Sequence, residues 1–419
     1  MKQPSRIARQ AAQKLALGLS LLPLAVAVPN AVAQTANVTL YGVVDVGVSH
    51  VQGIKGGSVT QLASGIMEGS RIGFRGTEDI GNGLKAIFTA EMRFEGDNGA
   101  LGNRPASGNQ LPDRLTAGLP PSVQAALTNV AVGPSLGVNL TNKLFDRQVF
   151  VGLITPVGAV LMGRQYTPGF EIVSRFDTFG IATAASASQL ASIPAGVDIR
   201  ADNSVVYRLE KDGMFASALY SFGESSSGSK RGSMYGANAG YQSGRFGVGA
   251  AYNERRDSLG RKSLNSAIFG ANFNAGPATL YAMYAQIKEP NPAGGVELRA
   301  GLVAAGVPGI LVDTGVLPRL MQDARLMHVG AKATLGVGSL MVGYTQSDDK
   351  RATNADAKSY GAAYTYPLSK RTDINLAITK VDNSANSQVL PGSNGYLGGV
   401  TASGGKDATV TQFSFRHKF

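Results

Sequence analysis

The chain has 419 residues, with 39 Lys and Arg against 28 Asp and Glu, no cysteine and no tryptophan. Zero cysteine excludes a disulfide-built scaffold, and 54 glycines spread along the chain, without a repeat, exclude collagen and a disordered linker. No segment after the N-terminal one reaches the ~18 consecutive apolar residues of a membrane helix, but a transmembrane β-barrel leaves the same weak hydropathy signal, because only alternate residues face lipid.

Chain order begins with Lys2, Arg6, Arg9 and Lys14, then an apolar run from Leu15 to Val28, then Ala31-Val32-Ala33. This pattern predicts a secretory signal peptide over residues 1–33, with the mature chain starting near Gln34. The run is short for an anchor, and Pro23 interrupts it. Removing four basic residues leaves 35 minus 28, a mature charge of +7. Such an excess suits an anionic partner, a lipid surface or a pathway for anions.

From residue 37 onward the dominant period is two. In VTLYGVVDVGV, Val38, Leu40, Val44, Val46 and Val48 share one face, and Thr39, Tyr41, Asp45 and Ser49 the other. Leu84, Phe88, Met92 and Phe94 likewise alternate with Lys85, Thr89, Glu91 and Arg93. Such alternation marks strands with one apolar and one polar face. Strands are predicted near 37–50, 69–80, 83–96, 143–154, 157–166, 203–210, 213–222, 232–242, 244–255, 263–274, 278–288, 323–335, 338–347, 357–367, 370–382 and 408–419.

Seven short turns join fourteen of these sixteen strands in pairs, among them Gly81-Asn82-Gly83, Thr155-Pro156 and Gln242-Ser243-Gly244, and eight longer loops make the other connections. An even strand number with short turns at one end and long loops at the other predicts an all-β fold, a transmembrane antiparallel barrel spanning residues 34–419. A soluble β-sandwich is the alternative; it needs larger core side chains than the many Ala and Gly here. The last strand places Phe413, Phe415 and Phe419 on one face, which fits an aromatic girdle.

Two hairpins carry arginines: Arg71, Arg75 and Arg93 lie on the polar phase, Arg147 has the opposite parity to Phe150 and Ile154, and Arg164 is in phase with Met162 and Tyr166. Around Asn82, partners sum to 164, so Arg71 faces Arg93 and Arg75 faces Thr89. With a turn at Thr155-Pro156, partners sum to 311, so Arg147 faces Arg164. Like charges directly opposite are destabilising, and an arginine on the lipid face costs ~2–4 kcal/mol at the midplane. Arg71, Arg75, Arg93, Arg147 and Arg164 are therefore expected to line a water-filled lumen as a basic wall. Two readings follow: an anion-attracting constriction, or arginines neutralised locally by Glu91, Glu95 and Asp146.

The chain resembles the general porins of Gram-negative bacteria, especially the neisserial and Burkholderia-type group. The carrying stretches are VTLYGVVDVGV (38–48), SRIGFRGTEDIGNGLKAIFTAE (70–91), LFDRQVFVGL with GRQYTP (144–168), NSVVYRLE (203–210), YPLSKRTDI (366–374) and the terminal FRHKF. The resemblance implies a homotrimer of sixteen-stranded barrels in the outer membrane, among lipid and lipopolysaccharide, passing small hydrophilic solutes and ions. It also implies that the loop at about 167–202 folds into the lumen, with Glu171 and Asp177 as acidic candidates facing the basic wall. Loops 97–142 and 289–322 are longer than this pattern and rich in Ala, Leu, Val, Gly and Pro, which suits caps over the mouth or subunit contacts.

No cofactor, metal or nucleic-acid partner is expected, and no enzyme. Three histidines, His50, His328 and His417, fit no ligand spacing, and there is no G-x-S-x-G. Parity puts His328 in the lumen and His417 on the phenylalanine face. Three functions remain open: an anion-favouring diffusion channel, a substrate-specific anion channel with a binding site, and an adhesin or envelope scaffold.

Overall fold

The computed structural model describes residues 37–132, 138–190, 199–393 and 395–419, so the predicted signal peptide lies outside the described residues. Its strands are β1 (Asn37–Ile54), β2 (Gly57–Ser64), β3 (Arg71–Gly81), β4 (Leu84–Arg93), β5 (Gln148–Thr155), β6 (Gly158–Tyr166), β7 (Arg200–Lys211), β8 (Met214–Ser221), β9 (Met234–Gln242) and β10 (Phe246–Arg256). Then follow β11 (Lys262–Asn274), β12 (Ala278–Glu289), β13 (Gln322–Leu335), β14 (Gly338–Asp349), β15 (Ala357–Pro367), β16 (Thr372–Asn383), the short β17 (Val389–Leu390) and β18 (Gly399–Val400), and β19 (Ala408–Lys418).

Neighbours pair antiparallel in chain order, and β1 with β19 closes the ring. β2 and β3 both pair with β1, along its upper and lower halves, and together form one stave. The result is a closed barrel of sixteen staves. All sixteen predicted strands are present. The predicted loop after residue 50 is instead a hairpin: β1 runs on to Ile54 and turns at Lys55-Gly56 into β2.

Alternation decides what faces outward. Val38, Leu40, Val44 and Val48 are exposed on the outside of β1, while Asp45 and Ser49 are fully covered within. Phe413 and Phe415 on β19 extend the same outer belt, and Tyr344 packs against Tyr360 with ring centres 5.2 Å apart. An apolar outside and a polar inside suit a barrel in lipid.

The interior is partly filled by the loop after β6. Thr167 starts the helix Pro168–Phe176 by accepting the Phe170 N–H at 3.2 Å, with Pro168 at the first helical position. Ile172, Val173 and Phe176 bury against Phe215, Ala251, Ile268 and Met283 of the inner wall. The loop then crosses to the opposite side, where Thr183 N–H donates to the Ile66 carbonyl at 2.8 Å and Ala184 N–H to Gln412 at 3.1 Å. Glycines make room for it. A Cβ on Gly270 falls 2.4 Å from the Phe176 ring, one on Gly343 2.7 Å from Phe179, and one on Gly361 2.2 Å from Ala185.

Candidate pore lining

Asp45 on β1 accepts the N–H groups of Met67 at 2.6 Å and Glu68 at 2.7 Å, which fixes the break between β2 and β3. Glu68 is thereby held against the wall. It pairs with Arg71 at 2.9 Å and Arg416 at 2.8 Å, and also with Lys418. Arg416 reaches Asp373 of β16 at 2.8 Å as well.

The next stave repeats the theme. Glu91 on β4 lies between two guanidiniums, Arg147 at 2.6 Å and Arg71 at 3.2 Å, and accepts the Tyr41 hydroxyl at 3.1 Å. Arg93 is 2 % exposed and pairs with Glu95 at 3.4 Å and Asp146 at 3.6 Å. Arg71 and Arg93 are direct cross-strand partners and Arg75 faces Thr89, as the Asn82 turn predicts. The carboxylates named in the sequence as local neutralisers do pair with Arg71, Arg93 and Arg147.

The second arginine pair is corrected. Val149 faces Arg164, so partners sum to 313, two more than expected. The turn is centred on Pro156-Val157, with Thr155 opposite Gly158 and its hydroxyl donating to the Gly158 carbonyl at 2.8 Å. Proline's fixed φ suits the first corner of a turn, which moves the register by two. Arg147 precedes β5 and donates to the Tyr166 hydroxyl at 3.1 Å. Arg164 shares the phase of exposed Val149 and Met162, beside a register shift at Gly163, and binds Asp202 at 2.5 Å. Its guanidinium also donates to the carbonyl of Asp146, whose carboxylate pairs with Arg93, at 2.7 Å.

Among the described residues, two guanidiniums in this region have no carboxylate within ion-pair distance. Arg75 is exposed and lies 5.1 Å from the Tyr41 ring centre. Arg200 lies 5.0 Å from the Tyr166 ring centre. Both stack on an aromatic face, which orients a cation without neutralising it. The sequence pattern does not mark Arg200, Arg416, Lys418, Glu68 and Asp373 as wall residues. Parity opposite Phe415 was the signal available for Arg416.

The acidic loop candidates part company. Asp177 is 2 % exposed and is taken up by its own loop, accepting the N–H groups of Phe179 and Ile181 and the Ser186 hydroxyl at 2.9–3.2 Å. It presents no open carboxylate to the basic wall. Glu171 pairs with Arg208 and accepts from Ser217 at 3.0 Å and Asn238 at 2.7 Å, docking the helix on β7–β9. It lines a cavity of about 890 Å³ with Tyr166, Arg175, Arg208 and Phe215. His328 does face inward, bonded to Thr345 at 2.8 Å and to the Thr178 N–H at 3.1 Å, and His417 lies on the outer face. Among the described residues no cluster of three His, Asp or Glu is placed to hold a metal ion.

A closed barrel with an inward loop and a charged inner wall can be compared with known proteins. Residues 19–386 match the Gram-negative porin family. The chain belongs to that family. Over 416 residues the porin is 27 % identical to outer membrane porin protein 32 of Delftia acidovorans, covering 96 % of this chain and 99 % of that one. Over 97 residues it is 42 % identical to major outer membrane protein P.IB of Neisseria meningitidis, 22 % of this chain and 27 % of that one. In structure it is similar to an anion-selective porin from Comamonas acidovorans, with a TM-score of 0.67 and 24 % identity over 92 % of this chain and 100 % of that one. The porin resides in the outer membrane and forms a water-filled channel for passive diffusion of small hydrophilic solutes and ions.

Proposed function

We propose that this channel favours anions, and that Arg75 and Arg200 carry the preference. The supporting observation is the charge pairing: Arg71, Arg93, Arg147 and Arg416 have carboxylate partners, whereas among the described residues Arg75 and Arg200 have none. A cation held in a low-dielectric wall focuses its field into the aqueous path. The structural neighbour described as anion-selective agrees with this sign.

The paired arginines serve as bracing. They cross-link β3, β4, the start of β5 and β19 through Glu68, Glu91 and Asp146 and keep the wall in one arrangement. In this reading the porin assembles as a homotrimer among outer-membrane lipid and lipopolysaccharide, as the family resemblance implies.

The test is a planar bilayer with a KCl gradient across the reconstituted protein. The expected reversal potential has the sign of chloride preference, and conductance is expected in steps grouped by three. A cation-favouring potential overturns the reading.

A further inference from the structure

The loops after β4 and after β12 start from the third and eleventh staves, eight apart in a barrel of sixteen, and so from opposite points of the same rim. They nevertheless share one apolar core. Leu119, Val123 and Leu127 of the first pack with Leu302, Val307, Val312 and Val316 of the second, and Leu127, Leu302 and Val312 are at most 1 % exposed. Side-chain hydrogen bonds to backbone join them too: the Arg114 guanidinium donates to the Arg319 carbonyl at 3.0 Å, and the Arg319 guanidinium donates to the Ala117 carbonyl at 2.5 Å.

Segments rooted at opposite points of one rim and meeting in a common core must bridge the mouth. The helices involved are short, Pro121–Leu127 and Gly295–Ala304. Neither is stable alone at that length, so the shared burial is what holds them. A third loop, after β16, props the bridge from one side. Gln110 donates to the Thr401 carbonyl at 2.9 Å, Val400 N–H donates to Ser107 at 3.1 Å, and Gly404 N–H donates to Asp113 at 3.0 Å. The same loop sends Leu390 and Tyr396 down into the barrel, where the Ser49 hydroxyl donates to Tyr396 at 2.9 Å.

We infer that the two long loops form an arch across the entrance and that this arch sets the upper size of solute admitted. With the β16–β19 loop filling the half of the mouth beside it, solute enters over β5–β12. Selection by size then occurs at the arch, and selection by charge lower down, at the arginine wall. The inference rests on the channel reading.

A cross-link and a disruption test it together. A Cβ on Gly301 lies 2.8 Å from Val130 Cγ1, a separation that suits a disulfide. The chain has no cysteine of its own, so a Val130→Cys, Gly301→Cys pair reports only this contact. It is expected to oxidise in the folded barrel and to leave liposome swelling rates unchanged. Leu127→Asp with Leu302→Asp breaks the core and is expected to raise trisaccharide entry several-fold relative to monosaccharide entry, with the KCl reversal potential unmoved. Thiols that stay free and alkylatable overturn the arch, as does an unchanged trisaccharide-to-monosaccharide ratio in the folded disrupted barrel. A folded wild type without conductance overturns the channel reading and the arch with it.

Discussion

Glu91 is a single carboxylate serving two arginines, Arg71 and Arg147, and its side chain is 7 % exposed. Removing one member of a buried ion pair leaves the others uncompensated, at a cost of about 3–5 kcal/mol. Glu91→Gln is therefore expected to lower the temperature at which the barrel loses its β-sheet circular dichroism. It is also expected to strengthen chloride preference, because Arg147 then loses its carboxylate partner and Arg71 keeps only Glu68, so more positive charge acts on the lumen. A variant with wild-type stability contradicts the bracing role. Arg75 differs. It stacks on Tyr41 with no carboxylate partner among the described residues, so its removal changes the lumen charge without stranding an acid.

At the scale of elements, the contacts of helix Pro168–Phe176 with the glycines of β10 and β11, and of Phe179 and Ala185 beyond it with those of β14 and β15, fix how much lumen remains. Gly270→Ala places a methyl group 2.4 Å from the Phe176 ring, and overpacking of this kind costs about 1–3 kcal/mol. The helix is expected to move toward the open lumen and lower single-channel conductance. Gly244→Ala, where a Cβ meets nothing within 4 Å, is expected to conduct like the wild type. Equal conductance in both variants contradicts the packing argument. The same scale shows what was readable in the sequence. The Arg71–Arg93 pairing was, because Gly81-Asn82-Gly83 all take positive φ and only one register fits that turn. The β5–β6 register was not, because Thr155-Pro156-Val157 admits two turn centres and the Thr155 hydroxyl chooses between them. Glu68 is not legible because its position depends on Asp45 gripping the segment between β2 and β3, a tertiary contact with no local pattern. Asp177 shows the converse: a loop carboxylate can turn to its own amides, and spacing does not reveal which way it points.

For the whole molecule, charge and size selection occupy different levels: an apolar arch at the mouth and an arginine wall within the barrel. Field effects weaken as the screening length falls from about 10 Å at 0.1 M salt to about 3 Å at 1 M. Chloride preference is therefore expected to shrink as the mean KCl concentration of the gradient rises, and a preference independent of salt contradicts an electrostatic origin. The central claim is that the guanidiniums without a carboxylate partner among the described residues, and not the braced ones, set the sign of selectivity. Its most direct test is the KCl-gradient reversal potential of the wild type beside an Arg75→Ala, Arg200→Ala double variant. The predicted result is a chloride-favouring wild type and a variant whose potential moves most of the way to zero while single-channel conductance persists. A variant that keeps the full wild-type potential contradicts the account.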